Sequence, residues 1–323
     1  MLRERDYTVD IVKFLAVFLI INSHADIMYP RLSILATGGA IGDCLFLFVS
    51  GFTLFLGEQK TFGNYYKRRI SRIYPSVFVC LILSHFLSGN MEIGLNELLG
   101  RNFIKAIMIY YVFLYYIRKY AINYIHIILL LVFILSLAVY LIWFPYKYEI
   151  SSKGIYGVTT SFRWIPYFGA MLLGAVVGMR RTELHYCFKK DILKLLFCLL
   201  LFYSIQYTAK YNPSIASWQI ITIVPLLGII FFFYKSCHNS FFESIYKKPI
   251  CNKIILFVAG VCLESYLMQN SFFTDKLNNI WPFNLLLIII IILLASYIAR
   301  CLARVLLQTF EKGEYNCKKI FEV

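Results

Sequence analysis

Apolar residues fall in long runs along this chain, and short stretches between the runs carry most of the charge. Ten runs can be marked, near 8–27, 41–57, 74–89, 102–118, 121–143, 163–180, 191–209, 216–234, 254–274 and 283–305. A helix needs about 20 apolar residues to cross the hydrocarbon core of a bilayer. Lipid offers no partner for backbone polar groups, so a span must satisfy them internally, as a helix does. The pattern predicts an all-α fold, a polytopic transmembrane helix bundle of about ten spans. The third and fourth runs are short, and the stretch from Gly89 to Arg101 between them is polar. The first run is long enough to span and lacks a small-residue cleavage site, so it reads as a span and not as a cleaved signal. The two halves share no matching broken helices, which counts against a repeat-built transporter. Residues 1–323 read as a single transmembrane domain, with 306–323 as a short basic cytoplasmic tail.

Composition agrees with that pattern. The chain is 60% hydrophobic with a mean hydropathy of +0.70, and only 15% of it is charged. Soluble domains carry about 25% charged residues. The net charge of +15 would suggest nucleic acid in a soluble protein. Here its distribution indicates membrane topology, with no nucleic-acid partner. With the N-terminus inside, 23 Lys and Arg residues fall on the cytoplasmic side and 8 outside, Lys13 alone being intramembrane. This asymmetry obeys the positive-inside rule and places both termini in the cytoplasm, in a multi-pass protein of the inner (plasma) membrane. The nine cysteines show no paired spacing and read as small buried hydrophobes, with no disulfide or metal framework. No Walker loop or Rossmann glycine pattern is present.

Three groups of residues could carry chemistry. In the first run, His24 is an ionisable group in a membrane span, where such groups are functional candidates by default. Lys13 precedes it by eleven residues, about three helical turns and roughly 16 Å of rise on one face. Asp10 lies within roughly 40° of the same stripe. A neutral imidazole can take a proton from a hydroxyl at neutral pH, so His24 reads as a general base. The bland reading is a Lys13–Asp10 ion pair and an interfacial histidine. The second group is the aromatic run ending in Ser50-Gly51-Phe52, where small residues let two backbones approach. The third is Tyr65-Tyr-Lys67-Arg68-Arg69-Ile-Ser-Arg72-Ile-Tyr74-Pro75. It reads either as an ordinary positive-inside loop or as a receptor for an anionic nucleotide. In the latter, Arg69 and Arg72 share one face if helical, Arg68 helps, and Pro75 ends the run.

Taken together, these segments resemble the acyltransferase 3 family of integral membrane O-acyltransferases. Lys13 with His24 is similar to its Arg-x10-His first span. Phe46 to Phe52 is similar to its Phe-Phe-x-x-Ser-Gly-Phe, and Arg69 to Pro75 to its Arg-x-x-Arg-Ile-x-Pro. Further on, Cys262-Leu-Glu264-Ser-Tyr266-Leu-Met-Gln269 resembles the family's Thr-Leu-Glu-Ile-Tyr-Leu-x-His segment. The span from Arg163 to Gly174 resembles its Arg…Phe-x-x-Gly span. Two positions depart from the pattern: Lys13 stands for the usual Arg, and Gln269 for a second His.

The resemblance implies O-acetylation of surface polysaccharides or other sugars. The expected catalytic set is His24, Lys13 and Asp10, with acyl-CoA bound by Arg68, Arg69 and Arg72. Support is expected from Ser50, Tyr266, Gln269, Glu264 and Arg163. The donor would be acetyl-CoA, the acceptor a carbohydrate at the cell envelope, the medium a lipid bilayer, and no metal would be needed. His24 would act as general base or carry the acyl group as a transient acyl-imidazole. A transporter or flippase of glycan intermediates and a non-catalytic acyl-CoA-binding membrane protein are the competing readings.

Overall fold

The computed structural model describes residues 6–89, 94–143, 154–157, 161–311 and 314–322. Arg3, Arg5, Lys147, Lys153 and Lys312, which entered the charge asymmetry, and Pro145 lie outside the described residues. Among the described residues the chain is all helical. Its fourteen α-helices are α1 (Tyr7–His24), α2 (Gly39–Leu56), α3 (Phe62–Ser88), α4 (Leu95–Leu98), α5 (Arg101–Tyr120), α6 (Ile125–Trp143), α7 (Trp164–Met179), α8 (Phe188–Tyr211), α9 (Ile223–Cys237), α10 (Ser240–Lys247), α11 (Pro249–Gly260), α12 (Cys262–Met268), α13 (Phe283–Thr309) and α14 (Cys317–Phe321).

Eight segments among these residues are long and apolar enough to cross a membrane. A ninth is a bent pair, Pro249–Gly260 with Cys262–Ser271, angled by 53°. The protein is a multi-pass membrane protein. The run near 102–118 becomes α5, a 20-residue helix. Arg101, Lys105, Arg118 and Lys119 make it too charged to count among the eight. The third run is corrected more substantially. The apolar pattern predicts a span from 74, with the arginines before it in a loop closed by Pro75. Instead α3 starts at Phe62 and Pro75 lies inside it. All of Lys67 to Arg72 is therefore helical, and a proline that removes one backbone donor does not stop the helix here.

The chain divides into two compact units. The first comprises Met1–Val12, Asp43–Glu58 and Phe113–Lys247. Its helices are close-packed where glycines remove side chains. A Cβ on Gly51 would lie 1.9 Å from the Met171 carbonyl oxygen, and one on Gly174 would lie 1.9 Å from that of Phe48. The Ser50-Gly51 segment is thus a backbone-to-backbone crossing of α2 on α7, as small residues in membrane helices allow. Phe48 and Phe52 then pack against Tyr234 at centroid distances of 5.5 and 5.4 Å. A buried ion pair joins α8 to α9, with Lys235 Nζ 2.9 Å from Asp191 Oδ1.

The second unit comprises Lys13–Gly42, Gln59–Val112 and Lys248–Val323. Here α3, α12 and α13 pack on one another around Val79, Cys80, Met268, Ala299 and Ala303. Near the end of the described residues α14 packs on α13, with Tyr297 and Arg304 donating to the carbonyls of Phe321 and Ile320.

Candidate functional site

His24 is the last residue of α1, and the chain around it is pinned by three asparagines. Asn22 Nδ2 donates to the carbonyls of Leu35 (2.7 Å) and Thr37 (3.0 Å), and its Oδ1 accepts from Tyr29 at 2.5 Å. Asn278 and Asn284 donate to the carbonyls of Ile27 and Met28. Glycines bring the start of α2 onto the same end of α1. A Cβ on Gly39 would lie 2.7 Å from Ser23 Oγ, and one on Gly42 would lie 2.7 Å from Ile20 Cγ1. The imidazole therefore sits on a helix end that cannot shift without breaking several of these contacts.

His24 lines a cavity of about 80 Å³ within the second unit. Tyr266 and Gln269 line it too, so the structure brings together three of the residues expected from the sequence. Tyr266 is set by its ring contact with Phe103, 4.7 Å between centroids. Gln269 is buried at 1% exposure, and its Oε1 has no hydrogen-bond partner among the described residues. Glu264 lies one turn before it in a buried cluster, accepting from Ser76 Oγ at 2.7 Å and facing Arg300 Nη1 at 3.8 Å.

Further polar residues that line this cavity include His85, Glu97 and Arg101. His85 Nδ1 is 2.9 Å from the Leu81 carbonyl oxygen and Nε2 is 3.6 Å from Glu97 Oε2. Glu97 also accepts from the Gly94 amide at 3.2 Å and lies 3.5 Å from Arg101 Nη2. That amide bond, with the positive charge of Arg101 beside it, holds the Glu97 carboxyl below the ordinary glutamate range. The argument that singled out His24 applies equally to His85, a histidine inside an apolar run, and the sequence reading missed it. Glu97 and Arg101 were legible only as a polar linker.

Other expected site residues lie elsewhere. Asp10 and Lys13 share α1 with His24, but neither is among the described residues that line the cavity. Asp10 is buried and accepts from the Tyr246 hydroxyl at 2.9 Å. Ser50 and Arg163 belong to the first unit. Arg163 is buried over the Tyr167 ring, 6.0 Å from its centroid, in a group that includes Asp43.

The arginines of α3 divide by helical face. Arg68 and Arg72, four apart, line a cleft of about 660 Å³ with Lys60, Lys67, Asn64 and Glu311. Arg69 turns away from it. Its guanidinium lies 5.3 Å from the Tyr65 ring centroid and 5.8 Å from that of Tyr111, with Nε buried and without a hydrogen-bond partner among the described residues. Arg68 and Arg72 thus share the face that lines the cleft, and Arg69 lies on the tyrosine side; residues four apart differ by about 40° around a helix and residues three apart by about 60°. Four cations against one carboxylate suit a ligand with several phosphate charges. Among the described residues no group of His, Cys, Asp and Glu could hold a metal ion.

A family model described as an acyltransferase domain, that of the acyltransferase 3 family, matches residues 6–301. No curated protein and no solved structure matches the chain.

Proposed function

This chain belongs to the acyltransferase 3 family and is an integral membrane protein, and from that premise we propose that it transfers an acetyl group from acetyl-CoA to a hydroxyl of a cell-surface or lipid-linked sugar. The observation that carries the reading is the two ends of α3. One end lines the basic cleft through Arg68 and Arg72, and the other lines the His24 cavity through Val77, Cys80, Ser84 and His85. Arg72 and Ser84 are twelve residues apart, about 18 Å along the helix. A coenzyme whose phosphates rest in the cleft has an extended pantetheine arm to reach along α3 toward His24.

In this reading His24 takes the proton of the acceptor hydroxyl as its oxygen attacks the thioester carbonyl. The carbon–sulfur bond breaks, the acyl group passes to the oxygen, and His24 returns the proton to the departing thiolate. Lys13 lies three turns below His24 on α1 and supports the donor. Asp10, bonded to Tyr246, anchors the start of that helix. With the termini in the cytoplasm, the basic cleft opens to the cytoplasmic coenzyme pool and the acceptor meets His24 near the opposite face of the inner membrane.

The test is release of CoA thiol by purified protein given acetyl-CoA and a sugar acceptor. Thiol release that depends on the acceptor and is lost in His24→Ala, with coenzyme affinity retained, supports the reading. Coenzyme binding without turnover in the intact protein would instead make it a non-catalytic binder.

A further inference from the structure

The His24 cavity is closed as it stands. Its volume of about 80 Å³ holds a few waters, whereas pockets for small organic ligands run to about 300–1,000 Å³. Acyl transfer at His24 therefore needs a wall that moves. Most of the wall is helix packed on helix, with α3 and α12 in contact beside the buried Val77 and Cys80. The α4 wall is different. It is a single turn, Leu95–Leu98, and none of its residues is buried. An element with so little buried surface opens at small cost.

Polar contacts hold this turn over the cavity. Glu97 lies 3.5 Å from Arg101 Nη2 and 3.6 Å from His85 Nε2, and its side chain is 28% exposed. Ion pairs so open to water are weak. The exit from the turn is strained. Gly100 and Arg101 have φ of 80° and 56°, and a non-glycine residue in that region persists only where its surroundings hold it. The His85 contact works in one protonation state. Nδ1 lies 2.9 Å from the Leu81 carbonyl oxygen, which only accepts, so Nδ1 carries a proton. The neutral ring then turns an Nε2 lone pair toward the Glu97 carboxylate, and only the imidazolium presents an N–H there. Among the described residues the other titratable or charged groups lining the cavity with His85 are Arg101 on α5, Tyr266 on α12, His24 on α1 and Cys80 on α3 itself. Arg101 and a charged His24 oppose the imidazolium, and Glu97 favours it.

We propose that α4 is a lid on the His24 cavity, hinged at Gly100 and Arg101 and latched by His85 to Glu97 only when His85 is protonated. Histidine changes charge between about pH 5 and 8, so the latch holds at the acid end of that window and releases as pH rises through it. That the lid admits the acyl acceptor rests on the acyltransfer reading; that it opens and closes over the cavity does not. On the topology of that reading α4 lies at the non-cytoplasmic face, and the pH it senses is the one outside.

The experiment compares purified full-length wild type, His85→Phe and Glu97→Gln at about pH 5.5 and about pH 8, values that bracket the histidine window. One readout is hydrogen exchange of the Glu97, Leu98, Leu99 and Gly100 amides, which bond within the turn. The other is alkylation by N-ethylmaleimide, located by peptide mass spectrometry, of Cys80, which lines the cavity and is 2% exposed. Variant-to-wild-type ratios at each pH cancel the intrinsic pH dependence of both reactions. At the acid pH both variants should exchange and alkylate about two- to fivefold faster than wild type, the range for a partly exposed ion pair. At the alkaline pH His85→Phe should match wild type, and the Glu97→Gln ratio should shrink toward one. His85→Phe ratios that are equal at the two pH values overturn the proposal, as does exchange that responds while Cys80 alkylation does not. Should His85→Phe fail to fold, a Glu97→Gln ratio that is the same at both pH values overturns it alone. Wild type is then given acetyl-CoA and a sugar acceptor. A pH-dependent lid without thiol release refutes acyltransfer and leaves the lid standing. Thiol release with pH-independent ratios does the reverse.

Discussion

Ser76 donates its hydroxyl hydrogen to Glu264 Oε1 at 2.7 Å, tying α3 to α12 inside the second unit. The bond lies between the basic cleft and the His24 cavity in the order of residues along α3. Arg300 completes the cluster from α13, facing the other carboxylate oxygen and donating to the Gly260 carbonyl.

Loss of that hydroxyl strands a buried carboxylate oxygen. Ser76→Ala should lower stability by about 1–3 kcal/mol, the usual penalty for an unmet buried polar group. Denaturant unfolding in detergent measures it. An unchanged midpoint would mean that Arg300 alone satisfies Glu264.

The division of the α3 arginines separates affinity from stability. Arg68→Ala combined with Arg72→Ala should weaken acetyl-CoA binding at least about tenfold, and the remaining affinity should depend less on salt, because phosphate contacts carry the salt dependence. Arg69→Ala should leave the affinity near wild type. It should instead destabilise the fold by about 0.5–2 kcal/mol through lost contact with the Tyr65 and Tyr111 rings. Titration calorimetry with acetyl-CoA, read beside melting curves, distinguishes the two effects.

Gly174 has no room for a methyl group. Its Cβ would sit 1.9 Å from the Phe48 carbonyl oxygen, and backbone cannot rotate out of the way as a side chain can. Gly174→Ala should destabilise by at least about 1–3 kcal/mol, the range for overpacking. Gly63→Ala is the control. A Cβ there meets nothing within 4 Å, and alanine is the better helix former, so stability should hold or rise by up to about 1 kcal/mol.

Glu97 predicts an acid-limb effect. Its carboxyl is held below the ordinary value of 4.5, first by the Gly94 amide and then by the charge of Arg101 and the His85 ring. A carboxyl with a depressed folded-state pKa stabilises the fold above its unfolded pKa, and that stability is lost as pH falls through the folded value. Wild-type melting temperature should therefore fall with pH below about 4.5 more steeply than that of Glu97→Gln. Parallel curves for the two proteins would show that the Glu97 contacts contribute nothing to stability.

The sequence by itself determined the class of this protein, because the bilayer imposes span length and helical backbone on any chain that crosses it. It also singled out His24, since an ionisable group in an apolar run is conspicuous without any coordinates. Tyr266 and Gln269 could be named only through their likeness to a family segment. Only the tertiary structure decided which residues meet. His85 and Glu97 are twelve positions apart, on different helices, and no spacing rule marks them as partners. The helical path through Pro75 was equally hidden, because a proline signals a break in sequence while neighbouring helices can hold the chain helical through it. That path set the register of α3, and the register alone put Arg68 beside Arg72 in the cleft and turned Arg69 to the tyrosines.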